Sequence, residues 1–438
     1  MKQTFFVAAI TLAGVVGAFA VEPAVGVVVY YFFAVLRPQA IWEWALPMAV
    51  PWSAIVGWAT IVSSVWFLMT RSGVDGGSQR PRLTAAHKVF FVFAVWLALT
   101  CITALNRNIA LYWFEEYMKL FVMFFVAAVI LRKIRHVWWI YLSSTLALIY
   151  IAYEMNFQYF TVGRLDIFHN GYGGLDNNGA ALMLAMGVPM AIHAWDGLAS
   201  RWRWLFITAV PVLVHAVLMS YSRGAMLSML VTAPLLVLRS RHRLQFAFIF
   251  VLLVGSVPFL AGNEIRQRFF SVQGYEQDGS ANARFGSWAA AYKIANDYPV
   301  FGVGIRNSQL LSYDYGANEV GQAIHSQYLQ MLADTGYPSL FLYLLALGCT
   351  WGAMVRARRT LKKRDDPDAK RAHSMLNGLE GSLFLFCFGG LFLSLEVFEL
   401  PYLVALLGAQ IASLTRVQAV AEQTAPAPAP FPIAHQRA

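Results

Sequence analysis

A polar stretch from Gly262 to Pro338 divides a chain that is otherwise almost continuously apolar. Its motifs are Tyr275-Glu276-Gln277-Asp278-Gly279-Ser280, Arg284-Phe285-Gly286-Ser287-Trp288, Pro299-Val300-Phe301-Gly302-Val303-Gly304-Ile305-Arg306-Asn307 and His325-Ser326-Gln327-Tyr328-Leu329. The stretch is longer than a connector between two membrane helices needs to be, and long structured loops are usually functional. We therefore expect the chemistry of the protein to lie in this stretch.

The rest of the 438-residue chain has the composition of a membrane protein. Hydrophobic residues make up 58% of the sequence and charged residues only 13%. Apolar runs of about 20 residues, the length that crosses a bilayer as a helix, recur along the chain. The net charge of +10 comes mostly from short connectors, where membrane topology explains it, so we expect no nucleic-acid partner. The composition predicts an all-α polytopic membrane protein.

The apolar runs predict about twelve transmembrane helices if the first run is counted once. Residues 1–38 are interrupted at Glu22-Pro23 and could form one broken helix or two short ones. The other predicted spans are residues 50–70, 88–105, 111–132, 137–155, 178–195, 203–221, 224–239, 245–262, 336–356, 378–396 and 400–416. The predicted organisation is a transmembrane bundle over 1–261, a loop domain over 262–338, C-terminal membrane helices over 339–416, and a disordered cytoplasmic tail over 417–438.

Basic connectors alternate along the chain and predict its orientation. They contain Arg71 to Lys88, Arg132 to Arg135, Arg201 and Arg203, Arg239 to Arg243, and Arg356 to Arg371. Because cytoplasmic loops are enriched in Lys and Arg, these connectors are predicted to be cytoplasmic. The long polar stretch and the Tyr221-Ser222-Arg223-Gly224 turn then face outward, with Met1 inside if the first run crosses once.

Arginines on the outward side are exceptions to this topological bias and are candidate anion ligands. They are Arg164, Arg223, Arg266, Arg268, Arg284 and Arg306. Arg223 lies between two apolar runs, where a guanidinium either snorkels to the interface or binds an anion, and we favour the anion. Arg284 begins an amphipathic pattern that predicts a helix ending before Pro299. Two such arginines suit a diphosphate, because planar guanidinium groups donate paired hydrogen bonds to its oxygens.

His325 opens another amphipathic pattern, which Gly336 and Pro338 end. An imidazole at a helix N-terminus has a lowered pKa and can act as a neutral general base, although a purely structural capping role is equally compatible with its position. His169 and His215 are competing histidines, and packing inside an apolar run best explains His215. The histidines have no metal-ligand spacing and the three cysteines lie in apolar runs, so we expect neither a metal nor another cofactor.

The ordered set of motifs resembles the O-antigen ligase (WaaL) and polymerase (Wzy) superfamily. The set consists of Ser220-Tyr221-Ser222-Arg223-Gly224-Ala225, the Gln273 to Ser280 run, Arg284 with Trp288, Pro299 to Gly304, and His325-Ser326-Gln327-Tyr328. The Asp278-Gly279-Ser280 run and the Leu175-Asp176-Asn177-Asn178 turn are especially similar to the O-glycosylation ligases found with exosortase systems. The resemblance covers about Arg164 to Pro338.

This resemblance implies a GT-C-type glycosyltransferase of the bacterial inner membrane with a periplasmic active site. The donor would be a glycan on undecaprenyl diphosphate, the acceptor a sugar of lipid A-core, and the reaction inverting and metal-independent. Arg223 and Arg284 would hold the diphosphate and His325 would activate the acceptor hydroxyl. Arg164, Arg306, Tyr221 and Gln327 are second-tier candidates for substrate binding.

Other functions remain open on the sequence alone. A polymerase that joins lipid-linked repeats, or a ligase that acts on protein, would use the same donor chemistry and the same residues. A transporter or flippase for the lipid-linked glycan is the alternative from a different class. A transporter should carry ionisable residues near the bilayer midplane, whereas the exceptional arginines here lie on one face, which favours an enzyme.

Overall fold

The computed structural model describes residues 2–47, 50–71, 81–162, 166–239, 243–244, 279–394 and 397–424. Arg164, the predicted span 245–262 and the loop motif Tyr275 to Asp278 lie outside these residues. Within the described ranges the chain forms helices, connectors and one isolated β-bridge between Tyr172 and Leu175. The helices are α1 Lys2–Ala20, α2 Pro23–Leu36, α3 Pro38–Ile41, α4 Trp52–Arg71, α5 Ala85–Thr100, α6 Arg107–Ile130, α7 Ile134–Val162, α8 Asp166–Asn170, α9 Asn177–Gly197, α10 Arg203–Met219, α11 Arg223–Arg239, α12 Gly279–Asp297, α13 Ser308–Leu311, α14 Gln327–Leu361, α15 Pro367–Gly389 and α16 Glu399–Thr424.

The protein is a helical, multi-pass membrane protein. Five helices in the described ranges are long and apolar enough to cross a membrane: Lys2–Ala20, Pro23–Ile41, Trp52–Thr70, Gln327–Leu361 and Glu399–Val420. Ala85–Thr100 and Arg203–Met219 are shorter apolar helices. Each predicted span after the first that falls on described residues overlaps one helix. The count of twelve spans and the GT-C architecture stay predictions.

The first apolar run forms two helices, α1 and α2, that pack against each other in antiparallel order. A Cβ atom on Gly14 would lie 2.9 Å from Val29, and one on Gly17 would lie 2.6 Å from Val25, so only glycine permits this close approach. Glu22, in the turn between the helices, lies 2.8 Å from His136 at the start of α7. The Lys2 end of α1 therefore lies at the opposite end of the helix pair from His136.

A buried carboxylate joins α11, α14 and α15 at one end of the bundle. Glu380 in α15 is fully buried, and its Oε2 atom lies 3.0 Å from Arg239 Nη2 and 2.6 Å from Arg358 Nη1. Since a buried charge is costly unless it is paired, this contact holds the three helices together. Arg239 and Arg358 come from two connectors that the charge pattern predicts on the same side. We call this end of the bundle the Glu380 end.

The described part of the polar stretch has a small core of its own. Ala291 and Ile294 of α12 pack against Val303, Ile324 and Ala333, all of which are buried. Backbone and side-chain hydrogen bonds attach this unit to the connector before α6, since Leu105 N donates to Val303 O over 2.9 Å and Asn307 Nδ2 to Asn106 O over 3.1 Å.

Two helix boundaries differ from the sequence-based expectation, whereas the break in α14 at Gly336 agrees with it. α12 begins at Gly279, so Arg284 lies in its second turn and not at its start, and it ends at Asp297, before Pro299 as predicted. α14 is broken at Gly336, whose φ is 82°, and continues beyond the break into the membrane helix. α16 extends to Thr424, whereas the sequence predicts a disordered tail from residue 417.

Candidate functional site

Backbone strain marks the same positions as the sequence motifs. The non-glycine residues with left-handed φ among the described residues are Arg37 (45°), Tyr221 (54°), Arg306 (61°) and His325 (51°). This conformation is rare for side-chain-bearing residues, and strained backbone clusters at functional sites. Tyr221, Arg306 and His325 are all candidates from the sequence, whereas Arg37 is not.

His325 directly precedes the residue that caps α14, and so lies outside the helix that its pattern predicts it to open. Ser326 is the cap, and its hydroxyl accepts a hydrogen bond from Leu329 N over 3.5 Å. The next backbone N–H, that of Gln327, is shared between the carbonyls of Gly390 and Leu393, each at 2.8 Å. The backbone of His325 is therefore strained, and hydrogen bonds hold the chain in place two residues after it.

The surroundings of His325 favour the neutral imidazole. Burial lowers the pKa of His325 below its ordinary value, and the positive charges of Arg284 and Arg306 lower it further. The negative charge of Asp176 opposes this shift. The direction agrees with the expectation for a general base, but its main cause is burial and not a helix N-terminus. Arg284, Arg306 and Asp176, which are far apart in the sequence, thus all act on one histidine by their charge.

Arg223 is the first residue of α11 and follows a turn that is tied to the start of α9. The hydroxyl of Ser222 caps α11 by accepting from Ala225 N over 3.4 Å, and it donates to Asn178 Oδ1 over 2.8 Å. Asn177 Nδ2 donates to Ser220 O over 3.1 Å. The Tyr221 ring lies edge-on to Phe168, with 5.3 Å between centroids. The structure thus joins two motifs, around Asp176 and around Arg223, that are far apart in sequence.

Asp176 directly precedes the two asparagines that bind the Arg223 turn, and its charge acts on His325. Its carboxylate caps α9 by accepting from Gly179 N over 2.7 Å, and its charge acts on His325. In the sequence this aspartate is part of a turn similar to one in the O-glycosylation ligases, and no role is predicted for it. Its position at a helix start, two residues before Asn178, is the signal that could have identified it.

Arg284 is half-buried and is held beside the residue that precedes His325. Three residues after it, the hydroxyl of Ser287 contacts two carbonyl oxygens, those of Arg284 at 2.9 Å and Ile324 at 3.3 Å. Because the Ser287 hydroxyl lies within hydrogen-bond distance of both carbonyls, it fixes the distance between α12 and the segment that contains Ile324. α12 therefore keeps Arg284 within electrostatic reach of His325 even though Arg284 is not at its first turn.

The sequence did not reveal the role of the segment from Gly389 to Leu393. This segment contacts α11, α12 and the start of α14, the three helices of the candidate site. Phe392 lies 6.3 Å from Trp288 of α12 between ring centroids, and a Cβ atom on Gly224 of α11 would lie 3.4 Å from Phe392 Cβ. The same segment accepts the Gln327 N–H at the start of α14. The only sequence signal was the Gly389-Gly390 pair in an apolar run, which does not reveal its contacts.

Arg306 follows a glycine turn that lies against the backbone of α14. Gly302 and Gly304 have φ of 65° and 103°, and a Cβ atom on Gly302 would lie 2.4 Å from the Asp334 carbonyl carbon. Gly304 N donates to Asp334 O over 2.7 Å. The guanidinium of Arg306 then lies 4.7 Å from the centroid of the Trp113 ring. This stacking orients the cation at the edge of the site.

The remaining candidates lie elsewhere or are enclosed. Gln327 is fully buried, His169 is exposed on α8, and His215 in α10 contacts Asn156 Oδ1 and stacks on Phe160 at 5.3 Å. These contacts agree with a packing role for His215. Within the described ranges, no three His, Cys, Asp or Glu side chains are grouped so that they could hold a metal ion.

Comparison with known families identifies the segment that carries this site. No curated protein matches the chain. Residues 208–344 match the model of the O-antigen ligase family, a range that runs from α10 into α14 and includes Arg223, Arg284, Arg306 and His325. This range is similar to the O-antigen ligase domain, and the match confirms the resemblance of the chain to the O-antigen ligase and polymerase superfamily.

Proposed function

We propose that the protein is an O-antigen ligase that transfers a polysaccharide from undecaprenyl diphosphate to a sugar of lipid A-core at the periplasmic face of the bacterial inner membrane. The family match supports a ligase of the glycosyltransferase type. The observation that carries the proposal is the set of charges around His325, in which a half-buried imidazole is acted on by Arg284 and Arg306. A neutral base beside arginines fits a reaction that removes a proton and releases a diphosphate.

His325 is the general base in the proposed mechanism. Its neutral imidazole accepts the proton of the acceptor hydroxyl while the hydroxyl oxygen attacks the anomeric carbon of the donor glycan. The new glycosidic bond forms on the face opposite the diphosphate, so the configuration of that carbon inverts. A positioned base of this kind contributes about 10²- to 10⁴-fold to a rate.

The arginines stabilise the leaving group. As the bond from the anomeric carbon to the phosphate oxygen breaks, its electron pair stays with the lipid diphosphate, whose negative charge increases. Arg223 and Arg284 bind the diphosphate and Arg306 adds positive charge at the edge of the site. Fixed donors aimed at developing charge are commonly worth a large share of catalysis, and these guanidinium groups supply the positive charge that a metal ion provides in other enzymes.

The acceptor is tested by reconstitution of the purified protein with lipid-linked glycan and lipid A-core. Transfer is read as a gel shift of the lipid A-core product without ATP or added metal, with the His325→Ala protein as control. Parallel reactions offer a second lipid-linked repeat or a peptide in place of lipid A-core. Product from either of those alone would reassign the protein as a polymerase or a protein O-glycosylation ligase, and transbilayer movement of the donor without any product would make it a transporter.

A further inference from the structure

Arg37, between α2 and α3, is the strained residue that no motif contains. Its left-handed φ of 45° accompanies a side chain that reaches two distant parts of the chain. We infer that Arg37 is a positioning residue that holds residues 171–176 in place, so that Asp176 and Asn178 keep their contacts in the site. The role of Arg37 in catalysis rests on the proposed function.

The guanidinium of Arg37 makes three kinds of contact. Nη1 donates to the carbonyl of Gly173, and Nη2 lies 3.1 Å from Glu399 Oε2 at the start of α16. The group also lies 4.9 Å from the centroid of the Phe398 ring. Both charged side chains are only 24% exposed, so solvent screens the pair incompletely. The planar fork of arginine can serve the carbonyl and the carboxylate together, which the single ammonium of lysine does less well.

The turn over residues 171–175 contains glycines that leave room for the Arg37 side chain. Gly171, Gly173 and Gly174 have φ of 63°, 57° and 85°, and a Cβ atom on Gly173 would lie 2.6 Å from Arg37 Cδ. Tyr172 and Leu175 exchange backbone hydrogen bonds of 2.9 Å, which close the turn. The Tyr172 hydroxyl donates to the Leu36 carbonyl. The whole turn is therefore docked on residues 36–37.

The residues that follow the turn belong to the site. Asp176 acts on His325 by charge, and Asn178 accepts the hydrogen bond of Ser222, which directly precedes Arg223. Contacts thus run from Arg37 through Gly173 and its turn to Asn178 and Ser222, the residue before a candidate diphosphate ligand, and the charge of Asp176 links the same segment to the candidate base. If Arg37 is replaced, the turn keeps only the Tyr172 hydrogen bond to Leu36 on this side, and we expect the carboxylate of Asp176 to move away from His325.

The sign of the resulting pKa change separates positioning from direct electrostatics. The charged groups that act on His325 are Arg284 and Arg306, which lower its pKa, and Asp176, which raises it. Removing the positive charge of Arg37 can only raise the pKa of His325 by direct interaction. Displacement of Asp176 lowers it. A lowered pKa in an Arg37 variant therefore reports movement of the turn.

The experiment measures modification of His325 by diethyl pyrocarbonate as a function of pH, read by mass spectrometry of the full-length protein in detergent. The reagent attacks the neutral imidazole, so the midpoint of the rate profile gives the pKa of His325 without any glycan substrate. Asp176→Asn should lower the midpoint by about half a pH unit, the effect of a screened charge near the imidazole. Arg37→Met should lower it in the same direction. Arg132→Met is the matched control, since its guanidinium also lies over a ring, 5.1 Å from the centroid of Phe67, and it should leave the midpoint unchanged.

A wild-type midpoint in Arg37→Met, or a wild-type midpoint in Asp176→Asn, would overturn the inference. If Arg37→Met does not accumulate as folded protein, Arg37→Lys replaces it, because lysine keeps the charge but not the fork, and the same lowered midpoint is expected. Failure of the proposed function gives a different result: the wild-type protein would transfer no glycan, while the labelling profiles would still show whether Arg37 positions the turn.

Discussion

The hydroxyl of Ser222 donates a hydrogen bond of 2.8 Å to the side-chain oxygen of Asn178, across 44 residues of sequence. Ser222 caps the helix that begins with Arg223, and Asn178 lies in the first turn of the helix that Asp176 caps. One contact therefore fixes the spacing between two helix N-termini. Since N–H groups at helix starts favour anions, this pairing agrees with a diphosphate site on this side of the bundle.

Arg223→Ala and Arg284→Ala are each expected to lower kcat for glycan transfer by about 10²- to 10³-fold, the usual cost of losing a donor that stabilises developing charge. Lysine at either position should rescue only in part, because it cannot donate paired hydrogen bonds in the guanidinium geometry. Arg201→Ala, which removes an exposed arginine from another connector, is the control and should keep full activity. Full turnover in both alanine variants at normal protein levels would remove these arginines from the mechanism.

His325→Ala is expected to slow transfer by about 10²- to 10⁴-fold while donor binding is retained, because the base acts on the acceptor. His325→Gln should be nearly as slow, since an amide does not accept the proton. Rate measurements and donor-binding measurements on the same purified protein check both statements. Loss of donor binding in His325→Ala would assign the histidine to the diphosphate site instead.

The pH dependence of transfer should follow the neutral fraction of His325. Activity is present above the pKa of the imidazole and is lost as the pH falls through it. Burial and the charges of Arg284 and Arg306 place that pKa below the ordinary value, so the loss should occur below about pH 6.5. Residual activity of Arg306→Gln should fall off at a higher pH than wild type, because one charge that disfavours the imidazolium is gone. A fall-off at the same pH in both proteins would contradict the proximity of these two groups.

Gly302→Ala is expected to destabilise the protein by at least about 1 to 3 kcal/mol, the cost of overpacking, because a Cβ atom at this left-handed position would lie 2.4 Å from the Asp334 backbone. Gly348→Ala is the matched control, since no atom lies within 4 Å of its added Cβ and its backbone is unstrained. Thermal unfolding of both variants in the same detergent checks the difference. Equal unfolding temperatures would show that stability does not depend on the close contact between Gly302 and the Asp334 backbone.

Thiol labelling should show the Lys2 end of α1 on the same side of the membrane as the polar stretch. In a background without native cysteines, a membrane-impermeant maleimide should label Gln3→Cys and Val320→Cys in intact spheroplasts, and Lys363→Cys only after permeabilisation. The expectation follows from the α1–α2 hairpin together with the basic connectors. Labelling of Val320→Cys only after permeabilisation would place the candidate site in the cytoplasm and contradict the proposed function.

Sequence patterns predicted the helices well because length and hydropathy decide which segments can cross a bilayer. They left residues 1–38 open, since a Glu22-Pro23 break is compatible with either one kinked helix or two, and only the packing of Gly14 and Gly17 decides between them. The start of α12 was misplaced because the polar residues before Arg284 carry no apolar periodicity.

The roles of the candidate site residues stay predictions, and the sequence suggested these residues but not the contacts that surround them. Arg223, Arg284 and His325 could be chosen because the charge pattern predicts them on the outward side, where arginines are exceptions to the topological bias. The residues that surround these three side chains could not be identified in that way. Arg37 and Phe392 contact segments more than 100 residues away, and the charge of Asp176 acts on His325 over a similar sequence separation, for which a single sequence has no local pattern.

The position of Glu380 leads to an expectation about suppressor mutations. The helices that it joins through Arg239 and Arg358 are the ones whose opposite ends carry Arg223 and the segment after His325, and α11 alone is about 25 Å long at 1.5 Å per residue. A small tilt of these helices at the Glu380 end changes the spacing of their opposite ends, which carry the candidate site. Second-site suppressors of weak alleles at the candidate site residues are therefore expected around Glu380, at the opposite end of these helices.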